Sequence, residues 1–456
     1  PSAAGIGVAA LVVASLVSLY SNVVVAWALY YLGSSFQSPL PWACGAPGAM
    51  DSCQVVVLQN TSERTAGPSP SEVFWSQEVL GVTPSSGLAA PGPVQWPLAL
   101  CLLGAWVLVF FCLLKGIRTS GKVLYFTATF PYLLLLILTI RAAALEGSLA
   151  GVHFYLSSDW SRLQRAQVWS DAASQVFYSL GIGFGGLLSM DSYNQLDPNV
   201  IRDTLAITLG SFCSSFFSGF AIFSGLGHMA WRKKVSVGSV LDSGPGLVFV
   251  VYPEVLSMLL GSPVWAILFF LMFLKLGVDS LLRTIDVIFS TILEQVPALR
   301  DWRRKILLLA ALCSSFYLLG LLLVTKGGIF WLSLLDTFST GFGLLLVTIF
   351  MCLGVVFCYG VTEFCQDLRA MLCRCPPWCS HILAYFRLCW TFLTPCTLLF
   401  SLLYILLELP SLALGPGSSQ QPAWASSLGL CINLLSCLQL PLGATLALAQ
   451  QTGSLS

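Results

Sequence analysis

Apolar runs of about 20 residues or more, the length a helix needs to cross a bilayer, recur along this chain with short polar stretches between most of them. They lie near residues 5–33, 96–115, 123–142, 171–192, 201–230, 254–290, 305–325, 330–360, 381–408 and 424–449. The pattern predicts an all-α polytopic membrane protein with about ten spanning helices. One long interval breaks the rhythm. Residues 34–95 are rich in Pro, Gly and Ser and read as a large loop between the first two helices.

Two spans keep polar groups where hydrocarbon disfavours them. In Gln175-Val-Phe-Tyr-Ser-Leu-Gly-Ile-Gly-Phe-Gly-Gly186, glycines at 181, 183, 185 and 186 permit an unwound stretch with free backbone amides and carbonyls. Such breaks persist at membrane depth only against protein or a cavity, and discontinuous helices form the midplane sites of secondary transporters. Close helix packing by small residues is the other reading; the adjacent Gln175 and Ser179 favour a binding site.

The second stretch, Leu276-Gly-Val-Asp-Ser280, sets a carboxylate beside a hydroxyl in an apolar run. A charge there costs about 2.5–3.5 kcal/mol on insertion scales. Asp279 and Ser280, with the carbonyl of Leu276, offer the oxygen ligands that a small hard cation takes. Lys275 and Arg283 each lie four residues from Asp279 and share its helix face, so a fixed ammonium can take the ion's role.

Composition agrees. The chain is 57% hydrophobic and 9% charged, against the ~25% charged of a soluble domain. A net charge of +1, with no basic run interleaved with aromatics, sets nucleic acid aside as a partner. The lipid bilayer is the partner instead.

Charge in the loops orients the bundle. Lys115-Gly-Ile-Arg118-Thr-Ser-Gly-Lys122 and Arg300-Asp-Trp-Arg303-Arg304-Lys305 are rich in basic residues and read as cytoplasmic. A ten-helix count then puts both chain ends in the cytoplasm of a multi-pass plasma-membrane protein, and Arg232-Lys233-Lys234 outside, against the rule. The 34–95 loop falls outside too. It carries the sequon Asn60-Thr61-Ser62, a glycan acceptor. It also holds Cys44 and Cys53, which an oxidising compartment turns into a disulfide.

Most other cysteines read as small buried residues. Cys373-Arg-Cys375-Pro-Pro-Trp-Cys379-Ser-His381 differs, but its spacing fits no zinc pattern well, and reversible acylation is the other use open to it. His153, His228 and His381 are scattered with no nucleophile beside them and read as interfacial residues. Asp191 and Asp279 are both intramembrane carboxylates, yet neither sits in an aspartyl-protease context. The chain does not read as an enzyme.

Several motifs resemble the sodium- and chloride-dependent neurotransmitter transporter family. They are Asn22-Val-Val-Val-Ala-Trp-Ala-Leu-Tyr-Tyr31, Leu40-Pro-Trp42 before Cys44 and Cys53, Asp159-Trp-Ser161, Ser192-Tyr-Asn194, Ser243-Gly-Pro-Gly-Leu247 with Tyr252-Pro-Glu254, Leu276-Gly-Val-Asp-Ser280, and Tyr359-Gly360. The resemblance runs from Gly5 to about residue 445. Tyr125-Phe-Thr-Ala-Thr-Phe-Pro131 and Gly261-Ser-Pro-Val-Trp-Ala-Ile-Leu-Phe-Phe270 lean toward its creatine, taurine and GABA branch.

The resemblance implies a single transporter domain over 1–456, an inverted-repeat (LeuT-like) bundle that begins at the family's third helix, with about ten of the usual twelve helices present. It implies Na⁺ and Cl⁻ as co-transported ions, no organic cofactor, and a small amino-acid-like substrate. Oligomeric state is left open. Carried over position by position, it assigns Leu276, Asp279 and Ser280 to one sodium site and Ser179, with Ser211, to another. Gln175, Ser179 and Ser215 fall to chloride, where an amide and hydroxyls donate. Val17, Tyr20, Ser21, Tyr178 and Phe184 fall to substrate, with Tyr178 as an aromatic lid. Asp336 falls to an extracellular gate, and Cys44 and Cys53 to the family's loop disulfide.

Five positions depart from the family pattern. Ser21 stands where a second tyrosine follows Tyr20, and Ser211 where an asparagine is usual, so a water is needed to reach the same ion. Lys275 and Arg283 replace uncharged residues around Asp279, and Asp191 adds a carboxylate. In the family Asp336 pairs with an arginine of the first helix, and the sequence shows no mate for it. These changes point to altered ion coupling, or to a non-transporting paralogue that works through membrane interactions.

Overall fold

A computed structural model of the chain describes residues 4–44, 69–82, 87–115, 121–157, 159–188, 200–240, 246–259, 261–299, 301–371, 378–414 and 423–450. These residues are almost entirely helical. In chain order the main helices are α1 (Ala4–Ser34), α2 (Trp96–Lys115), α3 (Gly121–Ala143), α4 (Ser148–Leu156), α5 (Ala166–Leu180), α6 (Val200–Lys233), α7 (Gly246–Ser257) and α8 (Ser262–Gln295). There follow α9 (Trp302–Gly320), α10 (Gly328–Phe338), α11 (Leu344–Leu353), α12 (Val361–Met371), α13 (Trp378–Leu388), α14 (Thr394–Leu414) and α15 (Ala423–Gln450). Wide π-helical turns at Ser339–Gly343 and Gly354–Gly360 join α10 to α11 and α11 to α12, and another at Cys389–Leu393 joins α13 to α14.

Among the described residues, seven helices are long and apolar enough to cross a membrane, or eight if the sharply bent pair Thr129–Ala143 and Ser148–Gln164 is one span. The apolar run near 171–192 does not make an unbroken span, because α5 stops at Gly181. The run near 254–290 divides. Its first residues belong to α7, and a new helix begins at Ser262. Gly261 takes a left-handed φ of 75° there, with a proline in the first turn that follows. Glycine alone adopts that φ freely, and proline suits a helix start, so the chain breaks inside an apolar run.

α1 is apolar nearly all round and is therefore buried. Ala9, Val13, Ala14, Val23, Ala26 and Tyr31 are closed off from solvent. It packs chiefly on α8, α15 and α2. Small residues let the backbones approach, as membrane helices require. A Cβ on Gly277 of α8 would lie 2.7 Å from Val25, and one on Gly443 of α15 would lie 2.3 Å from the Gly5 Cα. α4 crosses α6 in the same way at Gly151 and Gly227, where a Cβ on Gly151 would lie 1.8 Å from the Phe223 carbonyl oxygen.

The end of α1 carries an aromatic cluster on which the loop segment 69–82 packs. Trp27 meets Trp75 edge-on at 5.0 Å, and Trp75 stacks on Phe249 of α7 at 5.1 Å. The Tyr31 hydroxyl donates to the Phe249 carbonyl at 3.0 Å. A short loop helix, Pro70–Val73, docks here, opened by a capping box between Ser69 and Glu72.

Polar contacts then tie three segments together. Ser71 donates to the buried Glu254 of α7 at 2.5 Å. Lys233 at the end of α6 pairs with Glu72 at 2.7 Å, and Arg232 approaches Glu254 at 3.8 Å and the Cys44 sulfur at 3.5 Å. Two of the three basic residues that defied the loop-charge rule are thus matched by carboxylates of the large loop and α7. Cys44 is disulfide-bonded. Cys53, Asn60, Asp191, Ser192-Tyr-Asn194 and Cys373 and Cys375 lie outside the described residues.

His228 departs from the interfacial reading. It is buried, its Nδ1 lies 2.7 Å from the Glu146 carbonyl oxygen, and its ring stacks near Trp231. The sharp bend between α3 and α4 brings that carbonyl to it.

Candidate functional site

The glycines that mark the sequence between 181 and 186 end α5. Gly181 caps it with a left-handed φ of 66°, and Gly185 follows at 72°. A Schellman-like cap of this kind satisfies the last carbonyls while turning the chain away: the Gly181 amide donates to the Phe177 and Tyr178 carbonyls. The turn packs by its missing side chains. A Cβ on Gly183 would sit 2.2 Å from Leu344 and 2.9 Å from the Thr348 hydroxyl of α11. Gly185 faces Val287 of α8. The broken helix is therefore lodged against other protein elements, a setting in which such a break is tolerated at membrane depth.

Around the break the structure brings together four of the predicted residues. Phe184 folds back so that its ring stands edge-on to Tyr178 at 6.2 Å. The Tyr178 hydroxyl lies 3.3 Å from that of Tyr20 on α1. The Tyr20 hydroxyl also faces Asp336 on α10. Asp336 is thus not isolated, though a tyrosine hydroxyl is a different partner from the arginine that the resemblance implies. Its partner comes from a helix about 300 residues earlier in the chain, a relation no local spacing encodes. Val17 lies one turn before Tyr20 and is buried, and Ser21 is half-buried beside it. Three helices, α1, α5 and α10, thus close on a shared aromatic and acidic centre.

A second polar line runs between α5 and α6. Gln175 and Ser179 are one turn apart on α5, and Ser211 and Ser215 are one turn apart on α6. The Ser179 and Ser211 hydroxyls approach to 3.5 Å, which joins the two helices. Gln175, Ser179 and Ser215 are exposed, so their amide and hydroxyl donors are open to an anion. Hydroxyls and an amide suit chloride or an alkali ion by donor chemistry alone.

The α8 group is arranged differently. Leu276, Asp279 and Ser280 share one side of the helix, and all three are at least partly exposed. The Asp279 carboxylate already holds a cation, because Lys275 Nζ lies 2.7 Å from its Oδ2. Arg283, one turn onward, is exposed and makes no ion pair among the described residues. The single anionic ligand of the predicted sodium set is engaged by the protein's own ammonium.

Asp286, also on α8, escaped the sequence reading. It is buried and accepts from Ser290 at 3.5 Å. Its place seven residues after Asp279, about two helical turns, was the available signal. Glu254 was noted as part of a motif, and its burial and bond to Ser71 were not foreseen. No group of three or more His, Cys, Asp or Glu suited to a metal ion occurs among the described residues.

A helical membrane bundle with a broken helix is the architecture of a secondary transporter, and the comparisons with known proteins give it a family. The model of the sodium:neurotransmitter symporter family matches residues 1–451. The chain is 38% identical over 483 residues to the sodium- and chloride-dependent neutral and basic amino acid transporter B(0+) of Mus musculus, covering 99% of this chain and 74% of that one. It is 39% identical to the sodium- and chloride-dependent taurine transporter of Bos taurus, covering 99% and 73%. With the sodium- and chloride-dependent glycine transporter 2 of Xenopus laevis it shares 35% identity over 97% of its own length and 59% of the relative's.

The crystal structure of MhsT in complex with L-phenylalanine superposes with a TM-score of 0.67 at 19% identity, over 88% of this chain and 81% of that one. The fold is the inverted-repeat, LeuT-like bundle. The chain belongs to the sodium:neurotransmitter symporter family. Its relatives are transporters and not enzymes.

Proposed function

We propose that this chain forms the transport bundle of a symporter that carries a small amino acid, amino-acid derivative or amine across the plasma membrane by alternating access. The observation that carries this reading is the broken helix at Gly181–Gly185, with Tyr178 and Phe184 folded against Tyr20 and Asp336. Glycine-released backbone and an aromatic lid suit a small zwitterion: freed amides and carbonyls take its charged ends, and the rings cover its apolar part. Val17, Tyr20, Ser21, Tyr178 and Phe184 form the substrate wall.

Sodium and chloride are the driving ions in this reading. Gln175, Ser179 and Ser215 take chloride, and Ser179 with Ser211 takes sodium. Asp336, held by Tyr20, is the extracellular gate. A carboxylate tethered to the lid residues moves with them, so closing the lid and closing the gate become one event. The bundle works as rigid bodies rocking around the site, with the glycine turn as hinge.

The test is uptake of a labelled panel of neutral and basic amino acids, glycine, taurine, creatine and GABA by cells carrying the protein at their surface. Saturable uptake that falls when sodium or chloride is replaced supports the reading. Ser21, Ser211 and the Lys275–Asp279 pair favour a second reading, a non-transporting paralogue that acts through membrane partners. Silence across the panel, with surface expression confirmed, would select it.

A further inference from the structure

The most pointed departure in the molecule is the ion pair in the middle of α8. Lys275 and Asp279 stand one turn apart near the centre of a 34-residue apolar helix, with nitrogen and oxygen 2.7 Å apart. Their immediate neighbours Leu274, Val278 and Leu281 are buried. Lys275 keeps 26% of its side chain exposed and Asp279 48%. A carboxylate placed among apolar residues requires a partner of opposite charge, and here the partner is covalently part of the same helix. Its local concentration is fixed by the chain, so no free ion competes with it on equal terms.

We propose that Lys275 is the resident cation of this site. Its ammonium takes the charge that Asp279 offers, so Asp279, Leu276 and Ser280 do not bind sodium in the native protein. On the symport reading above, on which this inference rests, sodium enters only through the Ser179 and Ser211 line. The chain then couples to one sodium ion fewer than its two predicted sodium sites allow. Charge arithmetic supports this. Asp279 alone presents −1 to an incoming ion, whereas the Lys275–Asp279 pair presents zero, and the ammonium repels a second cation at contact distance. Arg283 adds a further positive charge one turn away.

The test uses purified protein and thermal stability as readout, titrating sodium against potassium and choline, so that no transport is required. Asp279→Asn should leave the native sodium response unchanged, because no sodium sits on that carboxylate. Lys275→Gln should create a sodium-specific stabilisation, or lower the half-maximal sodium concentration about tenfold or more, by freeing the carboxylate. Lys275→Arg should show no gain, since it keeps the charge. The neutral double variant Lys275→Gln with Asp279→Asn should lose the gain and match the native protein.

The double variant also leaves no unpaired charge, so it remains informative if either single variant fails to fold. Loss of the native sodium response in Asp279→Asn or in the double variant would overturn the inference, as would a Lys275→Gln protein indistinguishable from native. Failure of uptake alone would count against the symport reading and leave this measurement standing.

Discussion

Tyr20 is the residue on which the site turns. Its hydroxyl lies 3.3 Å from that of Tyr178 and faces Asp336, the residues proposed as lid and gate, so one side chain joins α1 to α5 and α10. Replacing it by phenylalanine keeps the ring and removes both contacts, each worth about 0.5–1.5 kcal/mol. Tyr20→Phe is therefore expected to lower uptake efficiency about tenfold with surface expression unchanged, measured as kcat/KM of the transported substrate. An unaltered value would remove Tyr20 from the gate.

Legibility at this scale was uneven. Tyr178, Phe184 and Ser179 stand out because they flank a glycine-broken apolar run. Asp336 was identified, but its partner was not, because a contact between α1 and α10 leaves no trace in local spacing. Asp279 was read both as an ion ligand and as a lysine partner, and the side-chain geometry supplied the second. Asp286 went unnoticed because one carboxylate in a long apolar run is conspicuous and the next is easily taken for its helix end.

At the scale of elements, glycines decide how closely the helices approach. Gly151→Ala drives a methyl into the Phe223 carbonyl oxygen, where a Cβ would lie 1.8 Å away. Both groups are tied to helix backbone, so α4 and α6 must separate. A loss of about 1–3 kcal/mol is expected, read as a lowered melting temperature of the purified protein. Gly104→Ala on α2 is the control, because nothing lies within 4 Å of its would-be Cβ. Equal stability of the two variants would contradict the packing described.

Most of the ten predicted spans were legible because hydrophobic length is a strong signal; among the described residues seven or eight helices qualify. The breaks inside apolar runs were less so. Gly181 was read as a break because polar residues accompany it. Gly261 was missed because it lies inside a long apolar run and hydropathy is blind to a left-handed φ, although the Ser262-Pro263 that follows it was a turn signal.

At the scale of the molecule, the loop segment 69–82 is fastened to the bundle through charge. Lys233 pairs with Glu72 while both are largely covered, at 17% and 33% side-chain exposure, and Glu254 is buried beneath Ser71. Lys233→Met strands one oxygen of Glu72, and Ser71→Ala strands one oxygen of Glu254. Each is expected to cost about 1–3 kcal/mol and to speed proteolysis of the loop in intact cells, assayed by an external protease. Protection equal to the native protein would mean that the clamp does not hold the loop. Within the same cluster Arg232 and Lys233 each face a carboxylate.

The whole account rests on the broken helix being a transport site. The most direct test is sodium- and chloride-dependent uptake of the labelled amino-acid panel, comparing the native protein with Gly181→Val. Valine cannot adopt the left-handed φ of 66° without strain. The account predicts saturable uptake by the native protein and its loss in the variant at equal surface expression. Uptake that survives the substitution, or no uptake of any substrate by well-expressed native protein, would contradict it.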